Sequence, residues 1–113
     1  CAFVCEKYKL IPVSLAKFFK RDNVLAEIKS RGIEKVYLMG GPSDRDIIWS
    51  CKGAKKQGLE VILVSGCHGA FDSEEEWHWE TERRIEQEAR DLGCEVMRFR
   101  DVQLEWQMDG VVT

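Results

Sequence analysis

Residues 36–65, VYLMGGPSDRDIIWSCKGAKKQGLEVILVS, constrain this chain more than any other stretch. An apolar run of strand length leads into a Gly-Gly-Pro-Ser-Asp turn. An amphipathic segment and a second apolar run follow. A strand, a helical crossover and another strand make a parallel pair, and the connection is right-handed. In such folds sites form where a strand's carboxyl end meets the next helix. Chemistry in this chain is therefore to be sought first at residues 40–46.

The other elements read in order. Residues 1–5 (CAFVC) are short, apolar and strand-like. Pro12 breaks the next segment, and 14–19 has room for a helical turn anchored by Phe18 and Phe19. Asp22 is a good N-cap for a helix over 23–30, with Val24, Leu25 and Ile28 on its apolar face and Gly32 at its end. A strand follows over 35–39. Ser43 or Asp44 caps the next helix, whose Ile47, Ile48, Cys51 and Ala54 recur at helical spacing. Gly58 stops it, and 59–64 is a continuous apolar run suited to a central parallel strand.

Residues 65–72 form the next loop at a strand's carboxyl end. Ser73 with Glu76 has the spacing of a capping box and opens a long helix there. Trp77, Thr81, Ile85, Ala89 and Leu92 make its inner stripe. Glu80–Arg84 and Glu86–Arg90 make i,i+4 pairs on a solvated face. Residues 94–99 read as a further strand. Val102, Leu104, Trp106 and Met108 alternate strictly, which predicts a terminal strand over 102–108. The whole is an α/β fold, a parallel sheet with helices on both faces, in a single domain over residues 1–113. Because the chain begins at Cys1 without Met, it is read as a domain open to being a fragment of a longer one.

The chain carries a net charge of −3, so nucleic acid is not expected as a partner. No apolar run reaches the roughly 20 residues of a membrane span. Five cysteines stand at irregular spacing without a CxxC, which predicts reduced thiols, no structural zinc and a cytoplasmic setting. Cys51 and Cys94 fall on apolar faces as small hydrophobes.

Two motifs carry potential chemistry. Asp44 and Asp46 form a D-x-D pair at a strand's end, the kind of carboxylate pair that holds Mg2+ in PIN-like and NYN nucleases. The turn is longer than theirs, and no first acid stands beside the first strand. Cys67 and His68 are neighbours in the following loop, where a thiolate pair or metal ligands are one reading and ordinary loop residues without catalysis the other. The latter is favoured because adjacent residues rarely aim at one point and no second pair completes a metal set. His78, between Trp77 and Trp79, reads as a packing and surface residue. Trp77, Trp79 and Trp106, exposed together, would mark an interface.

Ile28-Lys29-Ser30-Arg31-Gly32-Ile33, then Gly40-Gly41-Pro42-Ser43-Asp44-Arg45-Asp46-Ile47, then Ala54 to Gly58 and Leu59 to Ser65 keep one register without a gap. In this succession residues 22–93 resemble the carboxyl-terminal half of the isochorismatase-like hydrolases, a cysteine-hydrolase superfamily. Its members carry Leu-Arg-x-x-Gly-Ile, then Gly-x-x-Thr-Asp-x-Cys-Val, then Ala-x-x-x-Gly and a strand. The resemblance implies a Rossmann-like three-layer fold, shortened here. It implies a cis peptide at Gly41–Pro42, which turns backbone amides toward a substrate oxyanion. It implies substrate binding around Gly41, Pro42, Ser43, Cys67 and His68.

This chain departs from the family where the chemistry lies. Asp46 occupies the place of the nucleophilic Cys. A thiolate at a helix start is a strong nucleophile at neutral pH, and a carboxylate is far weaker. The family's Asp after the first strand and its Lys have no counterpart in register, and much of its first half is missing or shortened. The expectation is a diverged domain without cysteine-hydrolase activity, a binding or assembly module. It would form a homo-oligomer or bind a protein partner or small molecule, with no cofactor. An active hydrolase built on Asp46 or Cys67 is the alternative, and a nuclease using Asp44, Asp46 and Mg2+ a second.

Overall fold

The computed structural model describes residues 2–6, 9–13, 30 and 32–108. Strands β1 (Ala2–Glu6) and β2 (Lys9–Val13) pair antiparallel as a two-stranded sheet. Pro12 lies within β2, opposite Phe3, where the sequence suggested a break. With only two strands each has an outer edge, and there a residue lacking an N–H is tolerated. The turn expected over 14–19 with Phe18 and Phe19, and the helix over 23–30, lie outside the described residues, except that Ser30 is helical.

Strand β3 (Lys35–Gly40) leads into a π-helical turn, Ser43–Ile47, and on into helix α1 (Ile48–Lys56). Strand β4 (Glu60–His68), helix α2 (His78–Asp91), strand β5 (Glu95–Arg98) and helix α3 (Phe99–Met108) complete the order. β3, β4 and β5 form a parallel sheet in that spatial order. This is a small α/β domain compatible with a Rossmann-like fold.

Strand alternation sorts the apolar side chains into two layers. Val36, Leu38, Val61 and Leu63 meet Ile47, Ile48, Cys51 and Ala54 of the crossover and Ile85 and Ala89 of α2. Tyr37, Ile62 and Val64 meet Val102 and Trp106 of α3. Helices thus cover both faces, as the near-continuous apolar run of β4 requires. Each fully buried aliphatic side chain contributes about 1.5–3 kcal/mol. Gly58 and Gly93 end α1 and α2 in the left-handed region. After α2, Cys94 N–H donates to the Ala89 carbonyl at 2.9 Å, closing the helix end.

Three expectations are corrected. Residues 102–108 are helical, not a strand. Val102 and Trp106 lie four apart and both face the sheet, while Leu104 and Met108 are exposed. A strict alternation contains i,i+4 pairs, so it satisfies the helical period as well. Helix α2 starts at His78, not Ser73. The Ser73 hydroxyl accepts the Glu75 and Glu76 N–H groups in a separate turn. The helix itself is capped by Asp72, which accepts the His78 N–H, and by Glu80, which accepts the Trp77 N–H. The pairs expected along α2 are replaced by longer-range ones: Arg84 binds Glu76 through two nitrogens, and Glu86 turns inward to His68.

Helix α3 is pinned to the sheet by polar contacts as well as by packing. Trp106 meets the Tyr37 ring edge-on at 5.3 Å. Glu105 accepts from Lys35 Nζ at 2.6 Å and from the Tyr37 hydroxyl at 2.7 Å. The Lys35 hydrogen bond holds the Glu105 carboxyl below its usual range, against the effect of burial. A carboxyl with a depressed folded-state pKa stabilises the fold above its unfolded pKa, about 4.3, and loses that contribution as pH falls through the folded value. Glu105→Gln should therefore cost about 1 kcal/mol at neutral pH in urea titrations, discounted for the half-exposed ion pair. The difference from wild type should shrink as the pH is lowered below about 4. A constant difference across that range would rule out the ionic contribution.

Candidate functional site

The site begins with an irregularity in the β3–β4 ladder. Residues pair regularly from Lys35↔Glu60 to Leu38↔Leu63, and the register then shifts so that Gly40 pairs with His68. The extra length is carried on β4 around Gly66, whose φ of 89° suits a residue without a Cβ. The break reverses the alternation. Ile62 and Val64 face α3, as does Cys67, three residues on. His68 points to the opposite face, where Glu86 of α2 lies.

Beyond the bulge the two chain segments stay clasped. Gly69 N–H donates to the Gly40 carbonyl at 3.0 Å, and Ser43 N–H donates to the Gly69 carbonyl at 2.9 Å. The Gly41–Pro42 peptide is cis, as expected at this position. The approach here is so close that a Cβ on Gly41 would lie 2.7 Å from the Gly69 oxygen.

The sequence expected Ser43 or Asp44 to cap the helix by its side chain, and neither does. Pro42 precedes the turn in extended conformation, and its carbonyl accepts the Arg45 and Ile47 N–H groups. The Ser43 side chain is directed inward instead. Its Oγ lies 2.7 Å from His68 Nδ1, and His68 Nε2 lies 3.3 Å from Glu86 Oε2. An ionised carboxylate only accepts, so Nε2–H donates to Glu86. In the tautomer with the proton on Nε2, Nδ1 is the acceptor for the Ser43 hydroxyl. This hydroxyl, imidazole and carboxylate stand in the order of a nucleophile–base–acid relay. However, Ser43 is 0% exposed and His68 6%. The relay lies beneath the turn rather than in an open cleft, and it ties the π-helical turn to β4 and α2.

The remaining candidates scatter around it. Cys67 and His68 do not converge, because they project from opposite faces of β4. They also belong to the strand, not to the loop assigned from sequence. Burial pushes the Cys67 thiol upward. Asp44 is exposed and Asp46 half-buried in the first turn of the crossover helix. The Asp46 carbonyl accepts the Ser50 hydroxyl. Asp44 lies within the field of Arg84, whose guanidinium is held above its usual range chiefly by Glu76. Among the described residues no three His, Cys, Asp or Glu side chains group to hold a metal ion. His78 is a surface residue whose ring nitrogen pairs with Asp72 at 2.9 Å. A groove of about 510 Å³ opens at the opposite end of the strands, lined by Ile33, Glu34, Gln57, Leu59 and Glu60 among others.

The aromatic set also divides. Trp106 is buried under α3, whereas Phe71, Trp77 and Trp79 are 80%, 61% and 46% exposed. The Arg83 guanidinium sits 5.3 Å from the Trp79 ring centre. Glu86 was missed as a site residue because it sat in an i,i+4 charge pair. Its spacing from Thr81, Ile85 and Ala89 puts it beside the buried stripe, which was the available signal.

Compared with protein-family models, curated proteins and solved structures, the chain gives no significant match. Among the described residues no helix is long and apolar enough to cross a membrane.

The clasp and the relay make separable predictions. Gly41→Ala drives a Cβ against backbone and should cost about 1–3 kcal/mol, while Gly69→Ala, with open space at its Cβ, should cost less than about 1 kcal/mol. Ser43→Ala leaves His68 Nδ1 buried without its partner and should cost about 1–3 kcal/mol. Urea denaturation of the three variants checks the order. Equal stability of Gly41→Ala and wild type would disprove the close approach.

Proposed function

We propose that this chain is a diverged isochorismatase-like domain that lacks the family's cysteine-hydrolase chemistry and works as an assembly module, self-associating through its aromatic surface. The observation that carries this reading is the replacement at residue 46. A carboxylate stands at the helix entry where the resemblance calls for a thiol. The surrounding polar groups support it. Ser43 and His68, which the resemblance would turn toward substrate, are committed to each other and to Glu86 in the interior. Cys67 has a thiol raised by burial on the other face of β4.

Phe71, Trp77 and Trp79 are all exposed, in the loop before α2 and at the start of that helix. Large exposed aromatics of this kind concentrate binding energy at interfaces. The resemblance is to a family that commonly forms oligomers, and a second copy of this chain is the partner that fits. A cytoplasmic location fits the cysteine usage.

The Ser43–His68–Glu86 order favours one second reading, an active hydrolase using residues other than the family's. It requires the turn to open and expose Ser43.

Sedimentation velocity and an active-site probe test both. The full chain should self-associate, and Phe71→Ser with Trp77→Ser should weaken association at least tenfold, about 1.4 kcal/mol. A fluorophosphonate should leave Ser43 unlabelled, and iodoacetamide should change no amidase or esterase rate. A chain that stays monomeric at high concentration sinks the assembly reading. Labelling of Ser43 with matching turnover establishes the hydrolase.

A further inference from the structure

We propose that the acidic aromatic loop before α2 docks on the exposed basic face of α1 in a second copy of the chain, and that the two copies make this exchange reciprocally. The inference rests on the assembly reading and names the surface that completes it. Trp49, Lys52 and Lys56 are all exposed and recur at i, i+3 and i+7, which sets them in one row along α1. Exposed Arg45 extends the row by one turn, from the π-helical segment. Trp49 has 48% of its surface in solvent. No acid stands between Trp49 and Lys56. Among the described residues Arg45 and Lys56 make no ion pair. Lys52 meets Glu88 at 3.5 Å, and both side chains stay well exposed, so that pair holds the lysine weakly.

Charge complementarity identifies the occupant. Residues 71–77, FDSEEEW, hold Asp72, Glu74, Glu75 and Glu76 and no basic residue. Asp72 and Glu76 are engaged by His78 and Arg84. Glu74 and Glu75 are exposed and make no ion pair among the described residues. They stand between exposed Phe71 and Trp77. An aromatic loop with free carboxylates thus matches an aromatic helix face with free cations, in both apolar and charged character. A nucleic acid needs a broader basic field than a chain of net charge −3 provides.

The placement of the two surfaces permits closure. α1 and α2 cover the same face of the sheet. The turn into α1 and the loop into α2 follow the carboxyl ends of neighbouring parallel strands, β3 and β4. Both surfaces therefore lie on one side and toward one end of the molecule. A two-fold axis there lets each copy give its loop and receive its partner's, and the contact closes as a dimer. In the pair Trp49 meets the loop aromatics at the centre, and Glu74 and Glu75 meet Lys52 and Lys56 at the rim.

Sedimentation velocity on charge-swapped full chains tests the pairing. Lys52→Glu with Lys56→Glu in one variant, and Glu74→Lys with Glu75→Lys in another, should each weaken self-association at least about tenfold. Mixing the two variants should restore it, because each then meets an opposite charge at both contacts. Trp49→Ser, which changes no charge, should also weaken association at least about tenfold. A wild-type chain that stays monomeric defeats the assembly reading and the pairing together. Association that survives Trp49→Ser or the α1 reversals undiminished keeps the assembly reading and overturns the pairing, as does a mixture that fails to associate. Binding of a labelled single-stranded oligonucleotide to a monomeric chain, lost with Lys52→Glu and Lys56→Glu, gives the α1 face to nucleic acid and overturns it as well.

Discussion

Everything in this fold hangs on the clasp between β3 and β4, and on how far past the regular ladder it runs. Four in-register pairs from Lys35 to Leu38 set two apolar layers, one on each face of the sheet. The pairing then survives a register break, resumes at Gly40 and His68, and continues as two hydrogen bonds through Gly69 to Ser43. Had the ladder ended at Leu63, the Gly-Gly-Pro-Ser turn would project from the sheet as a free loop. Because it continues, the turn is drawn down onto the end of β4, and the close approach at Gly41 leaves no room for a side chain.

The same clasp decides what the polar residues can do. The three extra residues of β4 around Gly66 flip His68 to the α2 face, and the flip places His68 between Ser43 and Glu86. A buried imidazole with both nitrogens engaged is low in cost, whereas one with a partner missing is not. The relay therefore specifies how the π-helical turn, β4 and α2 fit together. Helix α3 is tied down on the far face by a different polar group, Glu105, which binds two residues of β3.

Much of this was legible in the sequence because apolar periodicity is local. β3, the crossover helix and β4 follow from residues 36–65 alone, and Gly58 and Gly93 mark helix ends where they were expected. The site was less legible. Its three residues are 25 and 18 positions apart, and their meeting depends on a strand break that reverses parity. Read without that break, His68 belongs on the face of Val64, toward α3, and no relay is visible. The tail failed for another reason: Val102, Leu104, Trp106 and Met108 fit both periods, and only the contact of Val102 and Trp106 with Tyr37, Ile62 and Val64 separates them. Ser73 failed because two turn-forming signals, Asp72 and Ser73, stand side by side, and the carboxylate reaches the helix start six residues on.

A Ser-His-Glu order is often enough to suggest catalysis, and the physical question is which way it faces. A nucleophile works on an atom that can reach it, so its hydroxyl must meet a cavity on one side and its base on the other. Here Ser43 meets its base from within the interior, its own N–H is spent on Gly69, and its side chain has no exposed surface. The exposed groups at the same turn are Asp44 and Arg45, with Asp46 half-covered. A carboxylate at that position is favoured by the helix start electrostatically, as any anion would be, and it supplies no thiolate. The parts of a reactive turn are thus present but divided: the relay lies inside, and the anionic groups lie outside. That division accords with the proposal of a turn kept for structure.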